Sequence, residues 1–113
     1  MIKPFPLSKM VGEHAFVPQA LIARPIWDLA KRLGADLETG FDELDKYQGA
    51  GAILDNSIPF AVMHYQGHPD DTSTIYLRLE LEDVHIIAKI ISMIVSELQL
   101  PAEAIKWQRG MKF

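Results

Sequence analysis

Cysteine is absent from the 113 residues. Disulfides, thiolate nucleophiles and Cys-ligated zinc are thereby excluded. Clusters of cations are absent as well. The eleven Lys and Arg are dispersed, with Lys31-Arg32 the one adjacent pair, and the net charge is −4. Binding to a phosphate backbone draws its affinity from Lys and Arg that displace counterions. No nucleic-acid partner is expected, nor a polybasic attachment to anionic lipid. The longest apolar run is broken by His85, Lys89 and Ser92, too soon to span a bilayer. Met1-Ile2-Lys3-Pro4-Phe5-Pro6 lacks the form of a signal peptide, because two prolines interrupt a stretch that is already short. A cytoplasmic protein is the expectation. Internal repeats and low-complexity segments are also missing, and no serine has nucleophile-elbow context.

What remains is ordinary globular composition, 49% hydrophobic and 23% charged. A chain of this length makes one domain, residues 1–113, and buries roughly 65% of the surface it exposes when unfolded. The first twenty residues hold Pro4, Pro6 and Pro18 among Ile2, Phe5, Leu7, Met10, Val11, Phe16 and Val17. Proline at that density opposes a helix, while the apolar content opposes a solvated tail. An extended arm that packs on something is expected. Residues 24–33 predict a helix, with Pro25 in its first turn and Gly34 at its stop. In the acidic segment 36–45, Leu37, Phe41 and Leu44 are spaced i, i+4, i+7 and suggest a second helix around Gly40.

The middle of the chain reads as a three-stranded antiparallel meander. Ala50–Leu54 is a strand of small residues followed by the turn chemistry of Asp55-Asn56-Ser57. Phe60–Tyr65 is the second strand, and Thr72–Leu81 the third. In the last, Ile75, Leu77, Leu79 and Leu81 alternate with Tyr76, Arg78 and Glu80, the pattern of a sheet covered on one side. Asp83–Gln99 then predicts one long helix, since the pairs Ile86/Ile87, Ile90/Ile91 and Ile94/Val95 recur every four residues, which period two cannot produce. Pro101 ends it, and Ile105–Gln108 reads as a short closing strand. The expected fold class is α+β: N-terminal helical segments, the meander, one buried helix and the closing strand, a βββαβ core.

The long helix has little polar surface. His85, Lys89, Ser92, Ser96 and Gln99 fall within an arc of about 80° on the helical wheel. Nearly all the rest is apolar, more than the ~100° stripe that a helix on one sheet requires. Leaving Ile86, Ile90 and Met93 in water would forfeit roughly 1.5–3 kcal/mol each, against a total stability of about 5–15 kcal/mol. That flank needs cover from the chain's own N-terminal part or from a second subunit.

The densest polar constellation is His64, His68, Asp70 and Asp71. Two imidazoles and two carboxylates around one turn offer N and O donors of the kind zinc takes. The same residues are also ordinary hairpin-loop material, with Asp capping backbone N–H groups. His85 reads as a solvated residue of the polar stripe. The acidic run 36–45 reads as a solvated face, or as a docking surface for a basic partner. Gly49-Ala50-Gly51-Ala52 precedes a strand rather than a helix, so it lacks the geometry of a phosphate loop. It suits a strand approached closely by other chain. Tyr76 and Arg78, with an aromatic ring and a guanidinium on one sheet face, are residues typical of interfaces. Trp27 and Trp107 are expected as core or interface anchors.

The reading that follows is a non-enzymatic protein-binding or regulatory module. It forms a homo-oligomer through the apolar flank of residues 83–99 and the N-terminal arm, with Ile86, Ile90, Met93, Tyr76 and Arg78 as interface residues. A further protein partner is compatible with it, and neither catalytic residues nor a cofactor are assigned. The alternative is a small metal-binding protein or metal-dependent hydrolase using His64, His68, Asp70 and Asp71.

Overall fold

Period-two pairing takes up far more of the chain than helix does. The computed structural model describes residues 1–10, 16–42, 45–78 and 80–110. Its strands are β1 (Ile2–Pro4), β2 (Phe16–Ile22), β3 (Glu38–Asp42), β4 (Asp45–Leu54), β5 (Ile58–Tyr65), β6 (Ser73–Arg78) and β7 (Ile105–Gln108). Its helices are α1 (Ile26–Leu33) and α2 (Val84–Glu97), with short 3-10 turns at Leu7–Lys9 and Ala102–Ala104. The strands form one sheet in the order β1-β4-β5-β6-β2-β7, with β3 also paired to β4. Every pairing is antiparallel. One side of β4 is shared end to end, by β3 along residues 45–49 and by β1 along residues 52–54.

Local chemistry explains the elements. The β4–β5 hairpin closes on Asp55 and Asn56, both at positive φ (50° and 62°), with Ser57 N donating to Leu54 O at 3.1 Å. Asn and Asp tolerate that left-handed pair, whose twist matches the flanking strands. Helix α1 enters after Pro25 and ends on Gly34 at φ 71°, a conformation that costs glycine little. Asp83 caps α2, its carboxylate accepting from His85 N at 2.8 Å and Ile86 N at 3.3 Å.

Both helices lie on one face of the sheet. Leu29 and Leu33 of α1 and Ile87, Ile91 and Ile94 of α2 are buried in the same cluster as Phe60 of β5. The opposite face is not bare. Residues 5–10 lie across it, with Leu7 and Met10 buried against Ala61 and with Tyr47, Met63 and Tyr76 packed around them. This approach is possible because Gly49 and Gly51 have no side chain. A Cβ on Gly51 would stand 2.5 Å from Phe5 O and 2.8 Å from Met10 Cε, and one on Gly49 2.9 Å from Leu7 Cδ2. Phe5 N donates to Gly51 O at 3.0 Å. Glu38 of β3 accepts from the backbone N–H groups of Leu7 and Ser8, fixing the start of the 3-10 turn.

The expected fold class is overturned. The protein is mostly antiparallel β-sheet, with seven strands and two helices among the described residues. The three-stranded meander is the centre of a larger sheet rather than its whole. The described part of residues 1–20, expected as an extended arm that packs on something, supplies an edge strand, a 3-10 turn and most of β2. Pro4 is tolerated because β1 pairs on one side only, and Pro18 because it adjoins the register shift between Pro18 and Ala20. Within the acidic segment 36–45, Glu38–Asp42 is β3 and Asp45 begins β4, where a helix was expected. Its i, i+4, i+7 spacing had no core to meet. Phe41 is 75% exposed, Leu37 is at the surface, and Leu44 lies outside the described residues, as does Leu79. The sheet expected to be covered on one side is covered on the second face by the chain's own residues 5–10.

Two predictions follow from the way the N-terminal segment is held. Gly51→Ala is expected to cost about 1–3 kcal/mol through overpacking against Phe5 and Met10, read as a lower denaturant midpoint at unchanged m-value. The second concerns Met1. Its α-ammonium is paired with Asp55 and, at 2.9 Å, with Glu97, while Ile2 N donates to Glu97 Oε2 at 2.8 Å. Hydrogen bonds that this amine donates to Asp55 and then to Glu97 raise its pKa above the ordinary 8.0. A pKa raised on folding gives a contribution complete below about pH 8 and lost as pH climbs through the higher folded value. Melting temperature should therefore fall more steeply above pH 8 in the parent than in Glu97→Gln, measured by thermal denaturation from pH 7 to 10.

Candidate functional site

The residues singled out for chemistry scatter over three places. The first is the turn between β5 and β6. His64 falls on the helix-covered face, in register with Gln48 and in step with Phe60 and Val62. Its Nδ1 lies 3.0 Å from Thr72 O, an acceptor that fixes the proton on Nδ1. Nε2 then lies 3.6 Å from Asp70 Oδ1, a carboxylate fully in solvent. The rest of the turn satisfies itself: Thr72 Oγ1 and Thr72 N both donate to Pro69 O, at 2.8 and 3.1 Å, and His68 N donates to Tyr65 O at 3.1 Å.

The four predicted metal ligands are not brought together. The rings of His64 and His68 meet edge to face with centroids 6.5 Å apart. His64 and Asp70 border one depression, with Lys46 and Gln48, whereas His68 and Asp71 border another on the far side of the turn, with Pro69 and Trp107. A zinc site requires several donors about 2.0–2.2 Å from one point. Among the described residues, no three His, Asp or Glu side chains converge in that way. His85 is exposed at the start of α2, where its backbone rather than its ring is engaged.

The second place is the outer flank of α2. Of the residues predicted there, Ile90 is buried at 5% exposure, Met93 is half-buried and Ile86 is 49% exposed. Glu97 shares this flank and ties down Met1 and Ile2, so the N-terminal strand closes the C-terminal half of the flank and leaves the N-terminal half open. Val84, at the first position of α2 and about 200° around the helix from Ile86, is 39% exposed beside Gly110. Trp27 is 62% exposed on α1 rather than core, and Trp107 is half-buried in β7 opposite Leu21.

The third place is the face beneath the N-terminal segment. Tyr76 and Arg78 project there from β6, half-buried rather than exposed, because residues 5–10 reach across toward them. Arg78 borders a cleft of about 260 Å³ between that segment and the start of β5, together with Lys9, Ser57, Phe5 and Phe16. Its Nε is buried and has no hydrogen-bond partner. A buried donor left without a partner forfeits about 1–3 kcal/mol, and more when charged.

Gln19 was not anticipated at all. It sits at the irregularity in β2, with its carbonyl accepting from Arg109 N at 2.9 Å, and its side chain is fully buried with neither Oε1 nor Nε2 hydrogen-bonded. Nothing in the local sequence marks it, since a lone Gln in an apolar strand reads as an outward-facing residue. No family model, curated protein or solved structure gives a match to this chain. No described helix is long and apolar enough to cross a membrane.

The orphaned amide yields a direct prediction. Gln19→Met, nearly equal in volume and free of polar hydrogens, should raise stability by about 1–2 kcal/mol, measured as an upward shift in denaturant midpoint. A loss of stability would mean that the amide is bonded in solution.

Proposed function

We propose that this protein is a non-enzymatic binding module that associates with a second copy of itself through the open half of the α2 flank. The observation that carries the reading is Ile86, 49% exposed on a helix whose Ile87, Ile90, Ile91, Ile94 and Val95 are buried in the core. Ile86 and Met93 stand seven residues apart on one stripe, with Lys89 beside them. A two-fold contact sets the same stripe of each copy against the other, so one modest patch is buried twice. Burying the exposed half of Ile86 is worth roughly 1 kcal/mol per protomer. The N-terminal segment takes part from within its own chain, by covering the C-terminal half of the flank and so setting where the open patch ends.

A binding role also accords with what the polar residues do. His64 and Thr72 hold their own turn, Glu38 holds the 3-10 turn and Asp83 caps α2, so each is engaged in structure. The test is solution mass at micromolar concentration by multi-angle light scattering. The parent should run as a dimer, and Ile86→Asp as a monomer with an unchanged circular-dichroism spectrum and a dimer dissociation constant raised at least about tenfold. A monomeric parent would remove the proposal.

A further inference from the structure

Acidic side chains outnumber basic ones fifteen to eleven in this protein, yet the described residues that line the cleft under residues 5–10 carry the opposite charge. Among the described residues its wall includes two cations, Arg78 and Lys9, and no Asp or Glu. Phe5 and Phe16 supply aromatic walls, and Ser57 adds a hydroxyl at the rim. Arg78 stands opposite Phe16 in the β2–β6 register, so the guanidinium and one of these rings belong to neighbouring strands. The cleft also has a structural origin. The N-terminal segment lies close to the sheet over Gly49 and Gly51, and the space lies farther along β4, beside Ile53, where side chains return.

We infer that this cleft binds a small organic carboxylate with an aromatic or other flat apolar body. The Arg78 Nε is buried and unpartnered, and an Arg presents Nε with an adjacent Nη as a planar fork matched to the two oxygens of a carboxylate. Lys9, an exposed residue of the lining, adds a second cation. The rings of Phe5 and Phe16 contact the body of the ligand, which a purely inorganic anion cannot use. A volume of about 260 Å³ sets the size: at the small end of ligand pockets, it holds a single substituted ring rather than a nucleotide. The site is separate from the α2 flank, so it stands whether or not the protein dimerises.

The test is NMR titration of the ¹⁵N-labelled full chain with sodium benzoate, with benzyl alcohol and inorganic phosphate as comparison probes. Benzoate should bind saturably, shifting the Arg78 Nε resonance and the amides of Phe5, Lys9 and Ser57. Benzyl alcohol, which keeps the ring and loses the charge, and phosphate, which keeps the charge and loses the ring, should each bind at least about tenfold more weakly. Arg78→Gln should abolish the benzoate shifts. Arg78→Lys should retain charge but lose most of the affinity, and Lys9→Gln should weaken binding by a smaller factor. The Arg78 Nε shift in the parent protein decides the matter even if the Arg78 variants do not fold. An unmoved Nε resonance overturns the inference, as does equal binding of benzoate and benzyl alcohol. Phosphate binding as tightly as benzoate would overturn the aromatic half and leave only an adventitious anion.

Discussion

The close approach of residues 5–10 to β4 is the contact on which the rest of the architecture depends. A seven-stranded sheet with helices on one face has a second face to protect from water and from other sheets. Here that protection comes from a chain segment too short to form a layer of its own. It succeeds because two glycines let backbone lie on backbone, so that Leu7 and Met10 reach Ala61 rather than standing off on intervening side chains. The same segment continues into β1, whose first residues are tied to Asp55 and Glu97, and it is capped by Glu38 from β3. Both faces of the protein, and both the closed half of the α2 flank and the cationic cleft, are consequences of where this one stretch of chain is pinned.

Its polar groups follow a consistent division. Where an acid meets backbone N–H groups or the α-ammonium, the interaction fixes an element: Asp83 on α2, Glu38 on the 3-10 turn, Glu97 on β1. Arg78 Nε and the Gln19 amide fall outside that pattern, buried without partners on the strands β6 and β2. Gln19 belongs to a local irregularity of the ladder, where an extra residue is accommodated and its side chain is carried inward. Arg78 instead belongs to the lining of a cleft, although its Nε is itself shielded from solvent. The difference lies in what surrounds each side chain.

Part of this was legible in the chain. The alternation at 73–78 and the four-residue recurrence at 84–97 are strong because many positions agree, and each governs an element whose face must meet a core. The segments at 26–33 and 105–108 were marked by Pro25 and Gly34 and by the alternation of Ile105 and Trp107. The acidic stretch misled because three apolar residues at helical spacing are too few to distinguish a helix from a strand at a sheet edge. There, pairing with β4 supplies the backbone bonds and Phe41 is left outside. Prolines at 4, 6 and 18 opposed an α-helix, and none forms among the described residues there, but they did not say that two of the flanking stretches would pair as strands.

By itself, then, the sequence determined what depends on neighbours a few residues away: the periodicities, the caps, the Asp-Asn turn, and an α2 with more apolar surface than one sheet can cover. Tertiary structure alone decided which partner covers each face. It put Ile90 inside and left Ile86 outside, separated His64 and Asp70 from His68 and Asp71 across one turn, and placed Arg78 beside Lys9 and two phenylalanines. These outcomes depend on which strands become neighbours and where the N-terminal segment lies down. Contacts between residues far apart in the sequence, such as Leu7 with Glu38 and Phe5 with Gly51, fix both, and no local pattern encodes them.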